Sequence, residues 1–156
     1  MLLSIIIVNY NSGALILDCL QSAELDLFDL DKIEWIVVDN SSNQADKHLV
    51  TTAFPMVQWT DMEYNAGFAR ANNRGIELSK GQLVLLLNPD TLLQPGVVMA
   101  MANELLQSNL VAAGVQLVHL DGSPQFSGSH FMLGGLNHLL PLPYWGALLK
   151  KVAALL

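Results

Sequence analysis

The chain has 156 residues, 52% of them hydrophobic and 13% charged, with a net charge of -7. That length is one domain with a proper core and leaves no room for a second full domain, and such a composition excludes a disordered or solvating chain. The acidic balance excludes a generic nucleic-acid binder, which meets phosphates with a basic stripe, so any phosphate held here depends on a metal ion, backbone N–H groups and a few local cations.

Met1 to Val8 is apolar and β-branched, lacks a basic leader and is cut short by Asn9-Tyr10-Asn11. It therefore reads as a buried first strand, Leu3 to Val8, and not as a signal peptide. Ala14 to Ala23 carries Leu15, Ile16, Cys19, Leu20 and Ala23 at helical spacing, with Ser12 positioned as its N-cap. Cys19, the one cysteine, cannot form an internal disulfide and reads as a buried helix residue. After a polar, acidic link, Glu34 to Val38 predicts a second buried strand that runs out into Asp39-Asn40-Ser41-Ser42. Asn43 to Val50 reads as a short helix, Val57 to Thr60 as a third strand, and Gly67 to Leu78 as a helix stopped by Ser79-Lys80-Gly81.

Leu83 to Leu87 is an unbroken apolar run, expected to be a wholly buried strand, and it discharges into Asn88-Pro89-Asp90. Pro95 and Gly96 suit the opening of a helix through Gln107, with Val97, Val98, Met101, Leu105 and Leu106 on its apolar face. Val111 to Val118 reads as another strand and Asp121-Gly122 as a tight turn after it. From Gly134 the character changes: Pro141 and Pro143 interrupt the chain, and Trp145 to Leu156 predicts an apolar helix bearing Lys150 and Lys151. Such a helix suits either a membrane surface or protein packed against it, the second being preferred. No apolar stretch reaches the roughly 18 residues of a membrane span, so a cytoplasmic protein is expected, with any peripheral membrane contact at the inner face.

Strands alternating with helices predict an α/β fold, a mostly parallel sheet flanked by helices on both faces. Three strand tips, Asn9-Tyr10-Asn11, Asp39-Asn40-Ser41 and Asn88-Pro89-Asp90, then share one edge, the edge at which open α/β sheets bind ligands. A hard divalent cation serving a nucleotide often takes one or two protein carboxylates plus the phosphates. Asp90 fits that role, although Asn-Pro-Asp-Thr is also an ordinary way to end a strand.

Together with Glu63-Tyr64-Asn65-Ala66-Gly67-Phe68 and Asn73-Arg74-Gly75 leading into and along a helix, these tips resemble, in order and spacing, the nucleotide-sugar half of a GT-A glycosyltransferase of family 2. Within it, Asn-Tyr-Asn, Val-Asp-Asn-Ser-Ser, Asn-x-Gly-Phe and Asn-Pro-Asp together look like the rhamnosyltransferase-like subgroup. The resemblance covers essentially the whole chain. It implies inverting transfer from a dTDP- or UDP-sugar, with Mg2+ or Mn2+, to a cell-surface glycan or lipid-linked saccharide acceptor. Carried over by motif, Tyr10 lines the base and ribose pocket, with Asn11 beside it among the donor-binding residues. Asp39 accepts from the N–H edge of the pyrimidine, Asn65 and Gly67 shape the loop beneath the nucleotide, and Asp90 holds the cation.

Each residue also has a plainer reading. Asp39 suits the N-cap of the following helix, Gly67 eases a turn, Tyr10 suits a core aromatic at a strand end, and Arg70 with Arg74 reads as a solvated face. Asn88 stands where the family usually has the first aspartate of Asp-x-Asp, and a neutral amide is a poorer cation ligand, so weaker metal binding is expected. The family's base is an aspartate in an acidic motif further on. Glu104 and Asp121, the acidic residues after Asp90, lack that context. Residues 1–133 are therefore expected to be the donor domain and 134–156 the start of a missing acceptor half, whose exposed apolar surface drives homo-oligomer formation. The alternative is a non-catalytic nucleotide-sugar binding fragment. A nucleotidyltransferase would begin with a Gly-rich basic loop, and a Rossmann dehydrogenase with G-x-G-x-x-G after the first strand; neither is present.

Overall fold

The computed structural model describes residues 2–23, 25–29 and 31–125, so the segment from Gly134 and its expected helix lie outside the described residues. The chain divides into two compact units, Met1–Ala113 and Gly114–Leu156. The first runs β1 (Leu3–Asn9), α1 (Gly13–Gln21), a 3-10 turn (Leu25–Phe28), β2 (Ile33–Asp39), α2 (Gln44–Ala53), β3 (Gln58–Asp61), α3 (Phe68–Leu78), β4 (Leu83–Leu87) and α4 (Val97–Gln107). The four strands are all parallel, in the order β3-β2-β1-β4.

The pleat sorts the side chains of the two central strands. Leu3, Ile5 and Ile7 of β1 and Ile33, Trp35 and Val37 of β2 pack with Ile16, Cys19 and Leu20 of α1, Val50 of α2 and Val98 of α4. Ile6, Val8, Ile36 and Val38 point the other way and pack with Ala71 of α3. Helices thus cover both faces, as parallel strands require. Trp35 donates its indole N–H to the Leu27 carbonyl at 2.8 Å and stacks on Phe28, which stacks in turn on Phe54. On the opposite face α3 lies so close to β1 that a Cβ on Gly75 would run into the Ile6 side chain. Only glycine permits that approach.

At the end of the sheet where the strands begin, a buried polar knot closes the fold. The Glu34 carboxylate accepts from the Ser4 hydroxyl, the Lys80 N–H and the Gln58 amide, while Ser4 accepts from the Gly81 N–H. Burial alone pushes this carboxyl up, but the donors from Ser4, Lys80 and Gln58 outweigh it and leave the group below its ordinary range.

Three expectations need correction. β4 is not wholly buried: Val84 is 39% and Leu86 50% exposed. It is the edge strand among the described residues, and α3 packs on β1 and β2, leaving that face of β4 uncovered. Val111 to Val118 forms no strand; Val111 is fully exposed, and the region shows only a single antiparallel bridge, Val118 to Pro124. An apolar β-branched run makes a strand only when a ladder partner is at hand. The turn after it is present, with Gly122 at φ +82° and its N–H on the His119 carbonyl. Finally, Ser12 occupies the N-cap position of α1 but makes no side-chain cap. Pro95 and Gly96 stand just outside α4, which starts at Val97 with Gly96 as left-handed N-cap. No described helix is long and apolar enough to cross a membrane.

Candidate functional site at the rim between β1, β2 and β4

The chain builds β1, β2 and β3 outward in one direction and then returns to lay β4 on the other side of β1. That reversal makes the neighbouring tips of β1 and β4 a topological switch point, the position at which open α/β sheets take ligands. Asn9 pairs in register with Asp39, and Ile7 with Leu87. Tyr10 and Asn11, Asp39 and Asn40, and Asn88 to Asp90 therefore leave the sheet at the same end, from adjacent strands. The expectation of three tips on one edge holds.

The β1 and β2 tips form one hydrogen-bonded body. Asn9 is fully buried and donates its side-chain amide to Asp39 Oδ1 at 2.8 Å, Ser42 Oγ at 3.0 Å and Asp46 Oδ2 at 3.1 Å. Its oxygen accepts from the Ser12 N–H and hydroxyl. Ser42 Oγ also accepts the Asn11 N–H at 2.8 Å, and the Ser42 N–H bonds Asp39 Oδ2 at 3.1 Å. Asn11 and Ser41, one on each tip, have left-handed backbones at φ 53° and 71°. Such conformations persist where surrounding bonds enforce them.

Asp39 is 3% exposed and has one oxygen on Asn9 and the other on Ser42. It does not cap α2; Asn43 does, accepting from the Ala45 and Asp46 N–H groups. Asn40, also buried, grips the loop before α3: its amide donates to Asn65 Oδ1 at 2.8 Å and its oxygen accepts the Ala66 N–H at 2.9 Å. Asn65 Oδ1 accepts the Gly67 N–H as well, so the Asn65 side chain folds the loop. Gly67 caps α3 at φ +85°, a backbone that disfavours any side chain. Tyr10 and Tyr64 on these loops and Phe68 at the start of α3 are each more than half exposed, so Tyr10 is not a core aromatic.

The β4 tip is different. Asn88 and Asp90 are exposed, and the Asp90 carboxylate has no hydrogen bond or ion pair among the described residues. Its charge is nevertheless felt below: burial, and after it the negative Asp90, push the Cys19 thiol up to about 12, which leaves it inert. Among the described residues no cluster of three or more His, Cys, Asp or Glu forms a ready metal cage. A single free carboxylate beside an amide carbonyl fits a cation that brings its remaining oxygens from phosphate and water. Arg74 pairs with Glu77 at 3.0 Å on the outer surface of α3. Asp121 is committed to its turn, accepting from the Ser123 N–H and hydroxyl.

From the sequence, Asn9, Asn40 and Ser42 enter only as members of the strand tips, and Asp46 only within the helix from Asn43, with no individual role. Asn9 ends the apolar run Ile5 to Val8, and an amide at that position is the signal the sequence offers.

The parallel α/β sheet with helices on both faces matches the GT-A fold of the solved structures given below. The chain belongs to the Glycosyl transferase family 2, which it matches over residues 4–151. No curated protein gives a significant match. Among solved structures, S. aureus TarS, residues 1–349, is similar at TM-score 0.57 and 24% identity, covering 67% of this chain and 33% of that one. The same protein in complex with UDP-GlcNAc gives 0.56. The mannosyltransferase PcManGT from Pyrobaculum calidifontis, in complex with GDP-Man and Mn2+, gives 0.53 at 23% identity, covering 66% of this chain and 31% of that one. This chain thus spans about a third of the length of these neighbours.

Proposed function

We propose that this chain is the donor-binding part of an inverting glycosyltransferase that takes a nucleoside-diphosphate sugar, UDP- or dTDP-linked, with Mg2+ or Mn2+. In this reading Asp39 accepts the ring N–H of uracil or thymine, Tyr10 and Asn11 flank base and ribose, and the loop of Asn65 and Gly67 supports the nucleotide. Asp90, with Asn88 beside it, holds the cation. A bound cation would neutralise the charge that develops on the leaving diphosphate.

The observation that carries this reading is the Asp90 carboxylate, without a hydrogen bond or ion pair among the described residues, at the same sheet edge as a rim built by hydrogen bonds around Asp39. Support also comes from the neighbours, whose complexes hold UDP-GlcNAc, or GDP-Man with Mn2+. The sugar in this reading is rhamnose and the acceptor a cell-surface glycan or lipid-linked saccharide, both resting on the motif resemblance. No described carboxylate is assigned as the base that deprotonates the acceptor.

A ligand that binds the native state raises its melting temperature by mass action. A thermal-shift panel of UDP- and dTDP-sugars with and without Mn2+ should give an upward shift that needs both nucleotide and metal. No shift with any donor would refute the reading. The second reading is a binding fragment without turnover. Donor hydrolysis or transfer separates the two: turnover supports the enzyme, and binding without turnover the fragment.

A further inference from the structure

Asn9 lies beneath the rim and touches both loops that make it. The orientation of its amide is fixed by chemistry: its oxygen faces the Ser12 N–H, which can only donate, and its nitrogen faces two carboxylates, which accept. One neutral amide nitrogen therefore sits between Asp39 at 2.8 Å and Asp46 at 3.1 Å. Among the described residues, no other side chain donates to Asp39.

We propose that Asn9 is a positioning residue for nucleotide-base selection, holding Asp39 in the one orientation from which its carboxylate meets the N–H of a pyrimidine. The inference rests on the donor reading above and assigns a role to a residue that does not itself touch the ligand. The Ser42 N–H fixes the other Asp39 oxygen from the backbone, so the two bonds together define the plane of the carboxylate. Without the Asn9 amide, Asp39 keeps one bond and gains an unshielded like charge in Asp46, and the carboxylate swings. The base end of the site loses its aim, while the β4 tip, which has no bond to this network among the described residues, keeps its hold on phosphate and metal.

The test is calorimetric titration of UDP, dTDP, GDP and inorganic pyrophosphate, each with Mn2+, against the wild-type chain, Asn9→Ala, Ser12→Ala and Asp46→Ala, with folding checked by circular dichroism. Asn9→Ala should lose about tenfold in preference for UDP and dTDP over GDP, the size of one hydrogen bond to a charged group, with pyrophosphate affinity unchanged. Asp46→Ala removes a competing acceptor and keeps the bond to Asp39, so it should keep the preference. Ser12→Ala loosens the amide without disturbing the apolar core and should shift selectivity in the same direction by a smaller factor. It decides the matter if Asn9→Ala does not fold. An unchanged UDP-to-GDP ratio in the folded variant, or a parallel loss of UDP and pyrophosphate, would overturn the role of Asn9 alone. A wild-type chain that binds none of the four probes would overturn the donor reading beneath it.

Discussion

The two halves of the rim are built on opposite plans. At the tips of β1 and β2, Asn9, Asp39, Asn40, Ser42 and Asn65 are tied to one another, with Asn9, Asp39 and Asn40 buried. At the tip of β4, Asn88 and Asp90 stand in solvent with no side-chain hydrogen bond or ion pair among the described residues. Reading a base by hydrogen bonds demands groups fixed before the ligand arrives, because a mobile acceptor loses selectivity. Holding a hydrated cation and a flexible diphosphate asks only for an accessible charge, since the ligand brings most of the oxygens. If the rim binds a nucleotide sugar as proposed, stability and binding are coupled at the tips of β1 and β2 and separable at the tip of β4.

Substitutions can break that contrast. Asp39→Ala strands the Asn9 amide and the Ser42 N–H in a buried place and should cost about 2 to 3 kcal/mol in urea denaturation, together with the loss of UDP binding. A stability change confined to a few tenths would mean that Asp39 is not embedded as described. Asn40→Ala releases the loop at Asn65 and Ala66 and should cost about 1 to 2 kcal/mol, visible as faster amide exchange at Ala66 and Gly67. Unchanged exchange there would deny Asn40 its part in fixing the loop.

The acid limb of stability probes the knot at the opposite end of the sheet. Glu34 titrates below its ordinary value of 4.5 in the folded chain. Its contribution is therefore complete above that value and lost as pH falls from there through the lower folded value. Glu34→Gln should lower stability at neutral pH and flatten the decline in that acid window; a limb of unchanged slope would place the titration elsewhere. The smallest effect belongs to Asn88→Asp, which adds a carboxylate beside Asp90 and should tighten Mn2+ without altering urea stability. Unchanged Mn2+ affinity would show that Asn88 does not face the cation.

Much of this was legible in the sequence, and the parts that were not share a cause. Asn9, Asp39 and Asp90 each follow an apolar run, and parallel strands deliver such tips to one edge, so the rim could be read directly. The apolar run Leu83 to Leu87 could not reveal that α3 stops short of β4, because hydropathy reports what a strand tolerates and not what covers it. Val111 to Val118 had β propensity but no strand to pair with among the described residues, which a linear pattern does not display. The bonding roles of Asn9 and Asn40 were not legible, because an asparagine at a strand tip reads the same until its partners, 30 and 25 positions away, are folded against it.

The contrast between the halves is tested most directly by Asp90→Ala, with UDP titrated in the presence and absence of Mn2+ and urea stability measured on the same samples. The variant should lose the Mn2+-dependent gain in affinity, keep the metal-independent part supplied by the Asp39 side, and remain within about 0.5 kcal/mol of the wild-type stability, as an exposed substitution does. Persistence of the full Mn2+-dependent gain would move the cation away from the β4 tip and contradict the site.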